Sequence, residues 1–133
     1  MTKHPDCFHH VGASLRSRLE AMQPNSSDPC VLFEGSVRSL CPLAPNNVNT
    51  MAAAAVAGSC LGFDGTIGYL IADPKLKDFH KVEIFIEGPG GFRVHTERLN
   101  PAGRGVVTGQ QTLYSFFSSI KNAHSRPAGI ELC

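Results

Sequence analysis

The sequence predicts an α+β domain, in which a small, mostly antiparallel or mixed sheet carries helices on one face. Three observations predict it. Hydrophobicity alternates with period two over Thr66–Ala72, His80–Glu87 and Phe92–Leu99. It recurs at i, i+3, i+4 and i+7 near the C-terminus, at Leu113, Phe116, Phe117 and Ile120. The order is a strand, helices, more strands and a last helix, without regular βαβ alternation. With 133 residues, 42% of them hydrophobic and 17% charged, residues 1–133 read as a single domain with a real core.

Residues 1–10 form a polar, His-rich entry segment, strand-like or loose. Ser14–Met22 has weak helical character, with Arg16, Arg18 and Glu20 facing water. Gln23–Pro29, Q-P-N-S-S-D-P, is a loop by composition. Cys30–Glu34 is a short apolar run that stops at Gly35, hence a strand. Ser36 can cap a short helix reaching Leu43. Pro45 ends that segment. Asn46, Asn47 and Asn49 then favour a helix N-cap, and Asn49–Ala57 is an alanine-rich helix closed by Gly58. In the strand His80–Glu87, Val82, Ile84 and Ile86 face one side, while Lys81, Glu83, Phe85 and Glu87 face the other. G-P-G-G at Gly88–Gly91 is a turn, and Phe92–Leu99 returns as the second strand of a hairpin. Asn100–Gly105 is a Gly/Pro loop. Thr108 can cap the last helix, which runs to Asn122 and leaves a loose tail from Ser125 to Cys133.

Composition excludes several function classes. A net charge of +1 provides no basic field for nucleic acid or an anionic membrane. No apolar run is long enough to span a bilayer, and M-T-K-H-P-D-C-F-H-H has no signal-peptide core. A soluble, cytoplasmic protein is expected. Five cysteines without a C-x-x-C pair suggest free thiols in a reducing compartment. His4, Cys7, His9 and His10 could hold a metal on paper, but their spacing matches no standard zinc pattern. No G-x-G-x-x-G, P-loop, G-x-S-x-G or H-E-x-x-H is present.

Two places could carry chemistry. A helix start presents unpaired N–H groups that hold a carboxylate, a phosphate or a carboxamide, and small alanines let a flat ligand approach. The other reading of that stretch is an ordinary capped helix packed on the sheet. His80 opens a strand after the loop A-D-P-K-L-K-D-F, where an imidazole can exchange a proton near neutral pH. It can equally be a solvated or structural residue. The face carrying Lys81, Glu83 and Phe85, with Arg93, His95 and Glu97, is either a subunit interface or a solvated surface.

Several motifs in order carry a family resemblance. They are T-K-H-P (Thr2–Pro5), F-E-G-S-V-R (Phe33–Arg38), P-N-N-V-N-T-M-A-A-A (Pro45–Ala54) and L-G-F-D (Leu61–Asp64). Then come I-A-D-P (Ile71–Pro74), H-K-V-E-I (His80–Ile84), V-H-T-E-R-L-N-P (Val94–Pro101), T-G-Q-Q-T (Thr108–Thr112) and a final G-I-E-L-C. Together they resemble the C-terminal, substrate-side half of the L-aspartate dehydrogenases. The resemblance implies oxidation of L-aspartate at C2 with NAD or NADP, giving iminosuccinate and then oxaloacetate and ammonia, or feeding NAD biosynthesis. It implies His80 as the catalytic proton donor or acceptor, Asn49 as a cofactor contact and Asn47 as its weaker neighbour. It also implies a homodimer.

Two stretches depart from the bacterial pattern. D-F-H-K-V stands where N-x-x-H-E-I is usual, and N-P-A-G-R-G-V-V-T-G where N-P-K-T-S is usual. The family's N-terminal Rossmann half has no counterpart in these residues, so the expectation is a catalytic half that needs a Rossmann partner. The alternative is a non-catalytic dimerisation or binding module of the same fold. An unrelated metal enzyme using the N-terminal His/Cys cluster ranks last.

Overall fold

The computed structural model describes residues 1–23 and 26–123. Pro24 and Asn25 of the expected loop, and the expected loose tail with its G-I-E-L-C motif, lie outside the described residues. Five strands form one sheet in the order β2-β3-β1-β4-β5: β1 Thr2–Lys3, β2 Cys30–Ser36, β3 Ile67–Ala72, β4 Phe79–Glu87 and β5 Arg93–Pro101. β1 runs parallel to β3, and the other three pairings are antiparallel. The helices are α1 Ala13–Glu20, α2 Val37–Leu40, α3 Asn49–Ala57, α4 Gly62–Gly65 and α5 Gln110–Ala123. The α+β class and the mixed, mostly antiparallel sheet are as expected.

Helices α1 to α3 cover one face over β2 and β3. Leu32, Leu40, Leu70 and Val37 are fully enclosed there, with Met51 and Ala55 of α3 beside them. Each such leucine contributes on the order of 2 kcal/mol by leaving water. α3 comes close because its side chains are small and Gly68 faces it. A Cβ on Gly68 would stand 2.7 Å from the Met51 sulfur. Arg38 and Asp64, from two of the resemblance motifs, pair bidentately at 2.6 and 3.0 Å and tie α2 to α4. The hairpin turn has Gly90 at φ 67° and Gly91 at φ 81°, a backbone that favours glycine.

Several local expectations change. Ser36 caps α2 as expected, accepting from the Ser39 amide at 3.2 Å, but the helix stops at Leu40, close to Pro42. α4 was not expected, since two of its four residues are glycine and show no periodicity. The asparagines do not cap α3. Its N-cap is Val48, already helical at φ −93° and ψ −12°, and no side chain closes the end. The chain enters α3 from a turn in which the Asn47 amide donates to Ala44 at 2.9 Å. The asparagine side chains are thereby freed for other partners. β5 runs on through Asn100 and Pro101, which were expected to open a loop. α5 starts at Gln110 rather than Thr108, and its apolar stripe stands in solvent, with Leu113, Phe116, Phe117 and Ile120 56–70% exposed.

Candidate functional site

The two-residue strand β1 organises the site. Thr2 pairs with Lys81, so by the same antiparallel register Lys3 stands opposite His80. His80 in turn pairs with Asn100, and Lys3 with Ala72. Directly opposed residues share a face of the sheet. Lys3, His80 and Asn100 therefore form one polar row across three strands, on the helix-covered side. The row is buried: Lys3 is 2% exposed, His80 4% and Asn100 7%. His80 is thus an interior residue, not the solvated loop-end residue that was one reading of the sequence. Asn47, 1% exposed, reaches the row from the turn before α3.

Lys3 Nζ donates to Asn47 Oδ1 at 3.0 Å and to the Val107 carbonyl at 2.6 Å. Burial is the main reason its pKa falls to about 8. His80 falls to about 4, chiefly by burial and secondly by the charge of Lys3, with an opposing hydrogen bond to the Val106 carbonyl. At pH 7 His80 is therefore neutral. Nε2 is buried without a partner among the described residues, and a ring N–H given to Val106 by the other nitrogen would leave Nε2 with the lone pair. Asn47 Nδ2 and Asn100 Oδ1 are the other buried, unpartnered side-chain atoms among the described residues. All three belong to one cavity of about 310 Å³, whose wall also includes Asn49, Thr50, Arg98 and Thr108. Among the described residues, the cavity wall contains no Asp or Glu.

The segment after β5 borders this cavity through Val107, Thr108 and Gly109. It is tied down by Ala102 N–H to the Asp78 carbonyl at 2.9 Å, His9 to the Gly105 carbonyl at 2.9 Å and Arg104 to Asp6 at 3.1 Å. His9 is thus engaged with a carbonyl, and His4 caps a 3₁₀ turn by accepting from the Asp6 amide. No three His, Cys, Asp or Glu side chains among the described residues are placed to hold a metal. A larger cleft, about 540 Å³ between α1 and β2, has Arg18 already spent on the Val31 and Leu32 carbonyls.

A row of buried titratable and amide groups that leaves three polar atoms unpartnered is the pattern expected where a ligand supplies the partners. The family profile "Aspartate dehydrogenase, C-terminal" matches residues 1–123. The chain belongs to the aspartate dehydrogenase C-terminal family. An aspartate dehydrogenase domain-containing protein of Danio rerio is 48% identical over this entire chain and 46% of its own length. One from Xenopus tropicalis is 46% identical over the entire chain and 48% of its own length. An L-aspartate dehydrogenase of Pseudomonas aeruginosa is 39% identical over 71% of this chain and 35% of its own length. The chain spans about half the length of the curated animal relatives it matches. No solved structure matches it.

Of the residues expected at an aspartate dehydrogenase site, His80, Asn47 and Asn49 all reach the one cavity. They differ in state. Asn49 is exposed at the first turn of α3, whereas Asn47 is buried with its oxygen held by Lys3. Lys3 and Asn100 were not among the expected residues. Only the T-K-H-P and V-H-T-E-R-L-N-P motifs marked their neighbourhoods, and two residues of strand show no periodicity.

Proposed function

We propose that this chain is the substrate-side half of an NAD(P)-dependent L-aspartate dehydrogenase and turns over only with a Rossmann partner. The observation that carries this reading is His80, a buried, neutral imidazole whose unpartnered Nε2 belongs to a cavity free of carboxylates among the described residues. A neutral imidazole takes a proton. L-Aspartate must lose an amine proton before C2 can give up hydride, and His80 Nε2 is the acceptor for it. Iminosuccinate results, and water converts it to oxaloacetate and ammonia. A bound NAD or NADP supplies the hydride acceptor. The residues present fit its nicotinamide end. Exposed Asn49 has an amide that can pair with a carboxamide, and Asn47 Nδ2 offers a further donor.

The homodimer belongs to the same proposal. An apolar groove of about 570 Å³ runs past Leu61, Ile67, Tyr69, Ile84 and Phe85. This groove and the exposed α5 stripe are apolar surfaces of a kind that subunits cover. The described cysteines, Cys7, Cys30, Cys41 and Cys60, are free thiols, which supports the cytoplasm. No helix among the described residues is long and apolar enough to cross a membrane. A second reading, a non-catalytic assembly module of this fold, draws on the same exposed surface.

The test is aspartate-dependent formation of NADH or NADPH. It compares the chain alone with the chain joined to the N-terminal half of the Danio rerio relative. Turnover only in the joined protein is expected. Turnover by the chain alone would overturn the need for a partner. Silence in both would favour the assembly module. Sedimentation of the wild type against Phe116→Glu tests the dimer, which the substitution should dissociate.

A further inference from the structure

Lys3 is a buried cation without a counter-ion among the described residues. An ammonium has three donors, and two of these are spent on neutral oxygens of Asn47 and Val107. Burying an ion in such company costs several kcal/mol unless an anion joins it or its proton leaves. Beside it, Asn47 Nδ2 is a second buried donor lacking an acceptor. A carboxylate has acceptor sites for both, and hydrogen bonds to an ionised group are about twice as strong as neutral ones. Arg98 adds a second cation. It stands opposite Val82 on β5, on the face shared by His80 and Asn100, and its side chain forms no ion pair among the described residues. Two positions along a strand from Asn100, it lies about 7 Å from the row. Lys3 and Arg98 thus stand on either side of His80.

This inference rests on the reading that the cavity takes L-aspartate. The geometry points to Lys3, braced by Asn47, as the residue that receives one substrate carboxylate, and to Arg98 as the residue that receives the other. The carbon chain between them then presents its amine to His80 Nε2. This cavity therefore selects dicarboxylates over monocarboxylates by two cations set apart.

The experiment uses succinate, which has no amine to oxidise, so binding is read without turnover. The 133-residue chain is titrated with succinate and with butyrate while amide NMR shifts are followed. Succinate should bind more tightly than butyrate and shift Lys3, Asn47 and His80. Lys3→Met should weaken succinate about tenfold or more, and Lys3→Arg should restore most of the loss. Arg98→Gln should bring succinate close to the affinity of butyrate. Equal affinity for both acids, no succinate binding, or an unchanged affinity in Lys3→Met would each overturn the proposal.

If Lys3→Met loses its dispersed spectrum, the wild-type pH profile decides. Succinate affinity should fall about tenfold between pH 6.5 and 9 as Lys3 loses its proton. Met1, His80, Arg98 and Cys7 are the other titratable or charged groups near Lys3. His80 is neutral throughout that range, and burial raises the Cys7 thiol. The Met1 amine, which donates to the Tyr69 carbonyl at 2.7 Å, is acetylated beforehand. A flat profile would overturn the proposal. Lys3-dependent succinate binding in a joined protein that does not oxidise aspartate would remove the dehydrogenase reading and leave this inference standing.

Discussion

The two faces of strand β4 handle charge in opposite ways. On the open face, Lys81 pairs with Glu83 at 3.0 Å and approaches Glu97 at 4.0 Å. His95 pairs with Glu83 at 3.8 Å and stacks on Phe85 with centroids 4.2 Å apart. Every charge there has an opposite neighbour within reach of water. On the covered face, among the described residues, Lys3 has no anion, His80 is held neutral and three polar atoms have no partner. Paired charges in water are worth little, while unpaired groups in the interior are costly. The folded chain thus leaves its unmet polar demand on one face, and that demand marks the site. Changes on the covered face should alter function strongly, and changes on the open face should alter little.

The largest expected effect is at His80. In the chain joined to a Rossmann half, His80→Asn removes the proton acceptor but keeps a small polar side chain in the row. We expect kcat to fall about 10²- to 10⁴-fold, the usual contribution of a general base. A dispersed NMR spectrum would show that the fold survives. Near-normal turnover would take His80 out of the mechanism.

The acid limb of stability sharpens the same contrast. His80 has a folded pKa of about 4 against an ordinary value of 6.5. Between those values the unfolded chain binds the proton first, so stability is lost as pH falls from about 6.5 to about 4. The loss is up to about 3 kcal/mol. Urea midpoints measured across this window should slope for the wild type and less steeply for His80→Asn. Equal slopes would mean that His80 is not the buried neutral group described.

Legibility in the sequence divides along the same line. The open face could be read because it obeys a period: Lys81, Glu83 and Phe85 alternate with Val82, Ile84 and Ile86. The hairpin turn could be read because G-P-G-G has few alternatives. His80, Asn47 and Asn49 stood out at a strand start and a helix start, the motif resemblance supplied their roles, and the cavity joins all three. Lys3 could not be read. Its strand is two residues long, and its meaning lies in the sheet order, which places β1 between β3 and β4. Asn100 was assigned to a loop because Pro101 follows it, whereas the edge strand β5 tolerates a terminal proline without breaking the ladder. The asparagine cap failed for a related reason. The turn at Ala44–Asn47 already places Val48 in helical backbone, so no side chain is needed at that end.

That correction changes what Asn49→Ala should do. A true cap would cost about 1 kcal/mol on removal. Asn49 is exposed and closes nothing, so stability should move by less than about 0.5 kcal/mol. The proposed cofactor contact would be lost, and the KM for NAD or NADP in the joined protein should rise. A stability loss near 1 kcal/mol with unchanged cofactor KM would make the residue structural only.

The smallest effect belongs to the open face. Glu83 holds both Lys81 and His95, so Glu83→Gln removes the centre of that network at once. The partners remain at the surface, where water and salt replace the carboxylate. Double-mutant measurements on such pairs give about 0.2–1 kcal/mol, and added salt should shrink the difference further. The contrast between faces predicts this weak response in the monomer. A loss of several kcal/mol, insensitive to salt, would instead mean that the face is dry in solution. It would then be covered by another subunit, with Glu83 buried in that contact. Measuring the urea midpoint of Glu83→Gln at two protein concentrations separates the cases, because only a subunit contact makes the midpoint depend on concentration.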